Sequence, residues 1–437
     1  MGLSILPLGG FGEVGKNCVA IIVDEEAFIC DMGVHLEHYI ELTGNDFFNE
    51  KHVYRKLVNA GAIPDIKPLQ RKQLFIRGIF CSHGHLDHIG AIPFLYNKIK
   101  RPVYATPFTA KLIQSFSKDR AVNPEVKAVK TGKKIRLSPK VSVEFIHVAH
   151  SIPQSALIAF HTPYGVVVYG NDFKNDQRHP FEKPTDLVAI KSLQGKTKIL
   201  LLDSLYAQED KYATSEQDAR QLLFDLKNDV SSKRAIVIST FSSQLSRLQS
   251  ICDFADMLNR KVVFLGRSLT RYIRAAKDVG IVDLTVRGKC FTYARQVKKF
   301  LANEDHPQNY VIVVTGHQGE PGAVLDRMSR GQFLFSSQDA VIFSCSVIPS
   351  VKIQRQRAQL EQRLEENNVS LFTSIHSSGH GAGKDLDDFV DLIKPEVVIP
   401  AHAEPLMEEA FCKRISKLGL SCTKCQKLVL GVQTSFE

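Results

Sequence analysis

The sequence lacks a second close pair of cysteines to partner its one C-x-x-C, Cys422-Thr-Lys-Cys425. A structural zinc of the ribbon or finger kind needs that second pair, so this chemistry is excluded. The nine cysteines, Cys18, Cys30, Cys81, Cys252, Cys290, Cys345, Cys412, Cys422 and Cys425, are odd in number and irregularly spaced. Such a set reads as reduced thiols of a cytoplasmic protein, not as a disulfide framework. No apolar run approaches the ~18 residues that a bilayer-spanning helix needs. The start, Met1-Gly2-Leu3-Ser4, has no basic segment of the signal-peptide kind, and Leu6 stands where a myristoylation signal needs Ser or Thr. The expectation is a cytoplasmic location with no membrane partner. There is no repeat of solenoid period and no low-complexity tract.

What is present suits a globular enzyme of two or three domains. The chain has 437 residues, 44% hydrophobic and 23% charged, enough to bury a large core. Lys and Arg outnumber Asp and Glu by 56 to 46, a formal charge of +10. That balance favours a polyanionic partner such as nucleic acid. Many basic enzymes bind none, so charge alone does not decide.

Several short β-branched runs end in a polar residue. Val141–Val148 leads to His150, Gly165–Tyr169 to Asp172, Lys198–Leu202 to Asp203 and Glu396–Pro400 to His402. These read as strands that deliver side chains to one site. From about 208 to about 370 the texture changes. Helical patterns at Glu216–Leu226, Gln244–Leu258, Leu269–Asp278 and Ala294–Ala302 alternate with strand patterns at Ala235–Thr240, Lys261–Leu265, Tyr310–Thr315 and Ala340–Ser344. This is the pattern of a parallel sheet with crossover helices. It reads as a domain inserted into the first one, because His402 comes after it.

Gly10-Phe-Gly12-Glu-Val-Gly15 fits a dinucleotide fingerprint in spacing. A helix would have to open there. Cys18–Val23 and Ala27–Cys30 read instead as strands. The glycines are better explained by a close approach of the backbone to another loop or to substrate.

The densest chemistry is His83-Gly-His85-Leu-Asp87-His88, directly after the apolar run Leu74–Ser82. A lone histidine is most often a satisfied structural residue. Three histidines and an aspartate within six residues are not easily explained that way, since each would need its own buried partner. Imidazole and carboxylate are ligands for zinc or a similar metal. His150 would complete a first site with His83 and His85. His402 would complete a second with Asp87 and His88, and Asp172 could bridge the two. Each of these three alone is a common polar strand end, and only the set is specific.

With these motifs the chain resembles the metallo-β-lactamase superfamily and, within it, the β-CASP nucleases of the ribonuclease J family. The resemblance also rests on Leu8-Gly-Gly-Phe-Gly-Glu-Val-Gly-Lys-Asn17, Asp31, Asp203, Thr240-Phe-Ser-Ser243, Gly266-Arg-Ser268, Thr315-Gly-His-Gln-Gly-Glu-Pro321, Phe343-Ser-Cys-Ser-Val-Ile-Pro349, His376-Ser-Ser-Gly-His380 and Pro400-Ala-His402. It implies an α/β fold, a metallo-β-lactamase αββα sandwich with an inserted parallel-sheet β-CASP domain. The expected parts are 1–207, 208–370 and a return segment 371–437. It implies two zinc ions per chain, with Mn or Mg as alternatives, and single-stranded RNA as substrate. It also implies a 5′→3′ exonuclease with a pocket for a 5′-monophosphate, acting in RNA decay or maturation, and a homodimer or higher homo-oligomer. His402, where another branch has an apolar residue, is similar to the RNA-acting branch. The chain ends soon after that histidine and has no preceding KH-type domain, as in the shorter archaeal form. His317 and Ala403 depart from the family pattern, which expects a small residue and Gly.

The expected roles follow from chemistry. His380 would stand near the leaving oxygen, with Asp203 holding its tautomer. Asp31 would orient histidine N–H groups, although a turn cap explains it nearly as well. Phe241, Ser242, Ser243, Arg267, Ser268, Ser344 and Ser346 would line the facing domain for RNA. His376, Ser377, Ser378 and Gly379 would meet phosphate oxygens. Serines at turns have a structural reading of equal weight. The basic runs Lys127–Lys140 and Lys352–Arg363 could track a backbone, but such runs are more often solvated faces. The competing readings are an endoribonuclease of the same family, a small-molecule hydrolase of the superfamily, and a non-catalytic RNA-binding subunit. The last would have lost ligands, and here all seven candidates are present.

Overall fold

Near-continuous apolar runs, buried on both faces, build the central strands of two seven-stranded sheets, and the first sheet sets the frame of the site. This computed structural model describes residues 2–43, 53–303, 306–348, 351–421 and 423–436. Pro349 and Cys422, quoted above, lie outside those residues. The first sheet runs in the order Thr434–Phe436, Leu3–Gly9, Cys18–Val23, Glu26–Cys30, Phe75–Cys81, Val103–Ala105 and Val126–Ala128. The second runs Lys424–Cys425, Val397–Ala401, Thr197–Asp203, Gly165–Gly170, Ala156–Thr162, Ser142–His147 and Lys134–Arg136.

The period of two decides which side chains meet. Val143, Phe145, Ile158, Phe160, Val167, Tyr169, Ile199 and Leu201 point inward and pack with Ile5, Val19, Ile21, Phe28 and Phe80 of the first sheet. The alternate residues Leu157, Ala159, Val166, Val168, Leu200 and Leu202 face the other way. There they bury Leu386, Phe389 and Ile393 of the helix Gly383–Ile393 and Phe411 and Ile415 of the helix Pro405–Lys417. The helix Pro107–Lys118 packs on the outer strands of the first sheet. The result is the αββα sandwich.

The chain divides into two compact units: 1–177 with 183–213 and 379–437, and 178–182 with 214–378. The sequence-based limits of 208 and 370 are therefore moved at both ends. The later limit shifts because Ser370–Phe372 is a strand paired with Ala340–Phe343 and so belongs to the inserted sheet. That second unit has one six-stranded sheet in the order Gly288–Phe291, Lys261–Leu265, Tyr310–Val314, Ile236–Ser239, Ala340–Phe343 and Ser370–Phe372. Every pairing in it is parallel. The crossover helices include Glu216–Asp225, Leu245–Met257, Arg267–Asp278 and Val351–Glu365.

One sequence reading is corrected here. Cys412 and Cys425 form a disulfide that ties the helix Pro405–Lys417 to the edge strand Lys424–Cys425. Their Cα atoms are 5.4 Å apart, a neighbourhood that linear spacing does not reveal. The other described cysteines are free. No helix among the described residues is long and apolar enough to cross a membrane.

Candidate metal centre

Parallel register brings the polar strand ends together. Cys30 pairs with Phe80, so Asp31 leaves its strand beside Ser82 and His83. Gly170 pairs with Leu202, and Asp203 with Ala401. Asp172, Asp203 and His402 therefore emerge along one edge of the second sheet. Asp31, Asp172 and His402 all have left-handed backbone, with φ of 56°, 55° and 53°. Such backbone is uncommon for residues other than Gly and is tolerated where the surroundings over-determine it, as at functional sites.

The seven expected ligands all lie in the first unit and form two clusters that share Asp172, each with ligand atoms within 4.8 Å of one another. In the first, His85 Nδ1 is 3.1 Å from both His83 Nε2 and His150 Nε2. Asp172 Oδ2 is 3.5 Å from His83 Nε2 and 3.7 Å from His150 Nε2. Burial, aided by neighbouring imidazoles, pushes His83 and His150 well below the usual histidine range, and burial brings His85 down to about 4. Neutral rings with converging lone pairs are what a metal requires.

The second cluster is Asp87, His88, Asp172 and His402. His88 Nε2 is 3.1 Å from Asp172 Oδ2 and 3.6 Å from Asp87 Oδ2. His402 Nδ1 is 3.8 Å from Asp172 Oδ1 and 3.9 Å from Asp87 Oδ2. Burial opposes charge on His88, but Asp172, Asp87 and Asp31 outweigh it and hold its pKa well above the usual range. Burial likewise opposes the Asp172 carboxylate, yet His402, His88 and His380 hold it well below its usual range. Asp172 Oδ1 is buried without a hydrogen-bond partner among the described residues. A buried carboxylate oxygen left so is costly, and a metal ion held by the ligand clusters would satisfy it. The donor set therefore fits a binuclear metal site.

The supports are as specific as the ligands. Asp31 accepts hydrogen bonds from the Ser82 N–H (2.8 Å), the Ser82 hydroxyl (2.7 Å), the Tyr169 hydroxyl (2.9 Å) and His88 Nδ1 (2.6 Å). That last bond leaves His88 Nε2 for the site. His150 Nδ1 donates to the Gly379 carbonyl at 2.6 Å. Gly379, expected to meet phosphate, thus positions a ligand. A Cβ there would come within 2.5 Å of Ser151 Oγ and 2.8 Å of His150 Cε1. His380 Nδ1 donates to Asp203 Oδ2 at 2.6 Å, and its Nε2 is 3.9 Å from Asp172 Oδ2. Burial opposes charge on His380, but Asp203 and Asp172 prevail and raise its pKa to about 9.

The glycine loop also finds its reason. The Asn17 N–H donates to the Asp87 carbonyl, and the Gly33 N–H to the Asn17 carbonyl. A Cβ on Gly33 would lie 1.6 Å from the Asp87 oxygen. The loop ends in the strand Cys18–Val23, not in a helix, so it clamps the metal motif and binds no dinucleotide in the fingerprint manner. Ser82 and Tyr169 were missed by sequence reasoning. Ser82 adjoins the histidine motif, which was its one available signal; Tyr169 had none.

In the second unit, Thr240–Ser243, Arg267–Ser268, His317 and Ser344–Ser346 all follow the C-terminal ends of parallel strands. Arg267, Ser268 and Ser346 are exposed, and Phe241 and Ser242 half-buried, while Ser243 is buried. Phe241 stands edge-on to the buried His317 with ring centres 4.2 Å apart. Ser344 contradicts its expected RNA role. It is fully buried, accepts from Arg247 Nη1 at 2.7 Å and donates to the Ile375 carbonyl at 3.0 Å. Ser377 is also buried, its hydroxyl donating to the Thr214 carbonyl. His376 and Ser378 are half-buried in the same segment. Much of the basic runs is locally paired: Lys127 with Glu125, Lys140 with Asp24, Arg357 with Glu361 and Arg363 with Asp326.

Fold and clusters together define a metallo-β-lactamase-superfamily protein with a β-CASP insertion. Residues 57–235 match the β-lactamase superfamily domain, 233–358 the ribonuclease J β-CASP domain and 369–425 the Zn-dependent metallo-hydrolase RNA specificity domain. The chain is 36% identical over 435 residues to ribonuclease J of Methanocaldococcus jannaschii, covering 96% of this chain and 95% of that protein. It is 36% identical over 414 residues to ribonuclease J of Pyrococcus abyssi, covering 92% and 90%. The chain belongs to the ribonuclease J family. A crystal structure of a protein of unknown function from Enterococcus faecalis V583 matches the whole of both chains with a TM-score of 0.68 at 15% identity, a likeness of fold alone.

Proposed function

We propose that this protein is a two-metal ribonuclease that hydrolyses RNA phosphodiesters, working 5′→3′ from a 5′-monophosphate end of single-stranded RNA. The observation that carries the reading is Asp172, one carboxylate common to two histidine-rich clusters. The family relatives that are named ribonucleases add to it. His83, His85 and His150 with Asp172 would hold one ion, and Asp87, His88 and His402 with Asp172 the other, zinc or alternatively manganese or magnesium. Ions held there would polarise a phosphodiester and lower the pKa of a water molecule toward ~7.

The remaining work falls to side chains of this chain. His380, whose Nδ1 donates to Asp203, would pass a proton from its other ring nitrogen to the leaving oxygen. Asp31 keeps His88 in one tautomer. Phe241, Ser242, Ser243, Arg267, Ser268, Ser346, His376 and Ser378 are the groups we assign to RNA. Phe241 offers a face for a base, and the hydroxyls and guanidinium offer donors to phosphate. Loops at the C-terminal ends of parallel strands are a common place for such binding. A homodimer acting in the cytoplasm is part of the same proposal.

The test compares single-stranded RNA bearing a 5′-monophosphate, a 5′-hydroxyl or a 5′-triphosphate. The reading expects fastest release of mononucleotides from the monophosphate substrate. Equal rates with internal cuts would replace it by an endoribonuclease.

A further inference from the structure

Asn17 closes the glycine loop and is 1% exposed. Its carboxamide lies across the second ligand cluster. Nδ2 donates to the Asp87 carbonyl at 3.2 Å and is 2.9 Å from His88 Nε2, 2.8 Å from His402 Nδ1 and 3.5 Å from Asp87 Oδ2. Oδ1 is 3.2 Å from His402 Nδ1. The two ring nitrogens it faces are the ones expected to bind metal. The amide is held there from both sides, because the Asn17 backbone N–H donates to Asp87 and its carbonyl accepts from Gly33. A Cβ on Gly10 would lie 2.4 Å from Asn17 Oδ1, so a glycine is needed at 10 for the amide to occupy this place.

The two ends of a carboxamide exchange by a half-turn about the last side-chain bond. Ligand atoms bound at about 2.1 Å to one octahedral ion stand roughly 3 Å apart. The spacings of the amide from His88 and His402 match that value. We propose that Asn17 contributes its side-chain oxygen as a further metal ligand to the Asp87–His88–Asp172–His402 half. The inference rests on the two-metal reading and deepens it. With Asn17 the second half offers three oxygen donors and two nitrogens, whereas the first offers one oxygen and three nitrogens. Oxygen donors suit harder ions, so the second half prefers Mn²⁺ and the first Zn²⁺.

The test is metal binding, not turnover. The full chain, stripped of metal, is titrated with Zn²⁺ and with Mn²⁺, and bound ions are counted by elemental mass spectrometry and Mn²⁺ paramagnetic resonance. In Asn17→Ala, Mn²⁺ affinity at one seat falls about 10–100-fold, the range seen when partners of a metal site are lost, while one tight Zn²⁺ remains as proof of folding. In Asn17→Asp, which keeps an oxygen, Mn²⁺ binding is retained or tightened. Unchanged Mn²⁺ affinity in Asn17→Ala overturns the proposal, as does equal loss at both seats. Loss in Asn17→Asp equal to that in Asn17→Ala would assign the work to the amide N–H instead. A wild-type chain that takes up no ion at all would refute the two-metal reading itself.

Discussion

The two halves of the candidate metal centre share Asp172 but are built on different physics. The first half is three imidazoles, all driven neutral by burial. Its outer contacts include His83 with Ser82, His85 with Ser151 and His150 with the Gly379 carbonyl. The second half sets two carboxylates against two histidines, and His88 is tied to Asp31, which also takes two hydroxyls and a backbone N–H. Desolvation readies the first half, whereas charge and a hydrogen-bond network ready the second. Under the two-metal proposal, one buried carboxylate would serve two seats of different hardness.

That contrast can be broken at either side. The largest effect on turnover belongs to a group outside both halves. His380→Ala should lower turnover by about 10²–10⁴-fold, the range for losing a general acid, with both ions retained. A variant that lost metal would make His380 a ligand. Next, Asp31→Asn should weaken metal binding by about 10–100-fold in the second half, and less in the first, which Asp31 reaches through Ser82 and His83, measured by titration of the stripped chain. Equal loss in both halves would mean that Asp31 supports the fold and not His88 in particular. The smallest effect is expected of Gly379→Ala. Its methyl meets Ser151 and His150, so affinity should fall in the first half by up to about 10-fold, the mild end of such losses, and leave the second untouched. Equal weakening of both halves would erase the distinction.

A second comparison lies in the other unit. Arg247 is wholly buried and makes paired bonds to Glu216 at 2.7 and 2.9 Å, while also donating to Ser344 and Ile375. Arg247→Met should destabilise that unit by about 3–5 kcal/mol, because Glu216 is left as an uncompensated charge. Thermal unfolding would register it. A change within experimental error would show that the pair is dispensable.

Much of this was legible in the sequence because periodicity and register are local. Runs such as Thr197–Asp203 declare both a strand and the polar residue at its end. The density of His83 to His88 points to metal chemistry, and the fold gathers these residues into clusters compatible with it. What was not legible depends on distance through space. Ser344 reads as a surface donor in its turn, yet Arg247, nearly a hundred residues earlier in the chain, has drawn it into the core. Cys412 finds Cys425 because a helix and an edge strand lie side by side. Gly379 looks like part of a phosphate loop, but its carbonyl holds His150. Asn17 looks like the end of a glycine loop, and only the fold sets it against His88 and His402.

The most direct test of the binuclear centre is the number of ions held by Asp172→Asn. Elemental analysis of the folded full chain should find two ions per wild-type chain, one in His402→Ala and in His83→Ala, and fewer than one in Asp172→Asn. Two ions retained in folded Asp172→Asn would contradict the account, because the shared carboxylate would then join nothing.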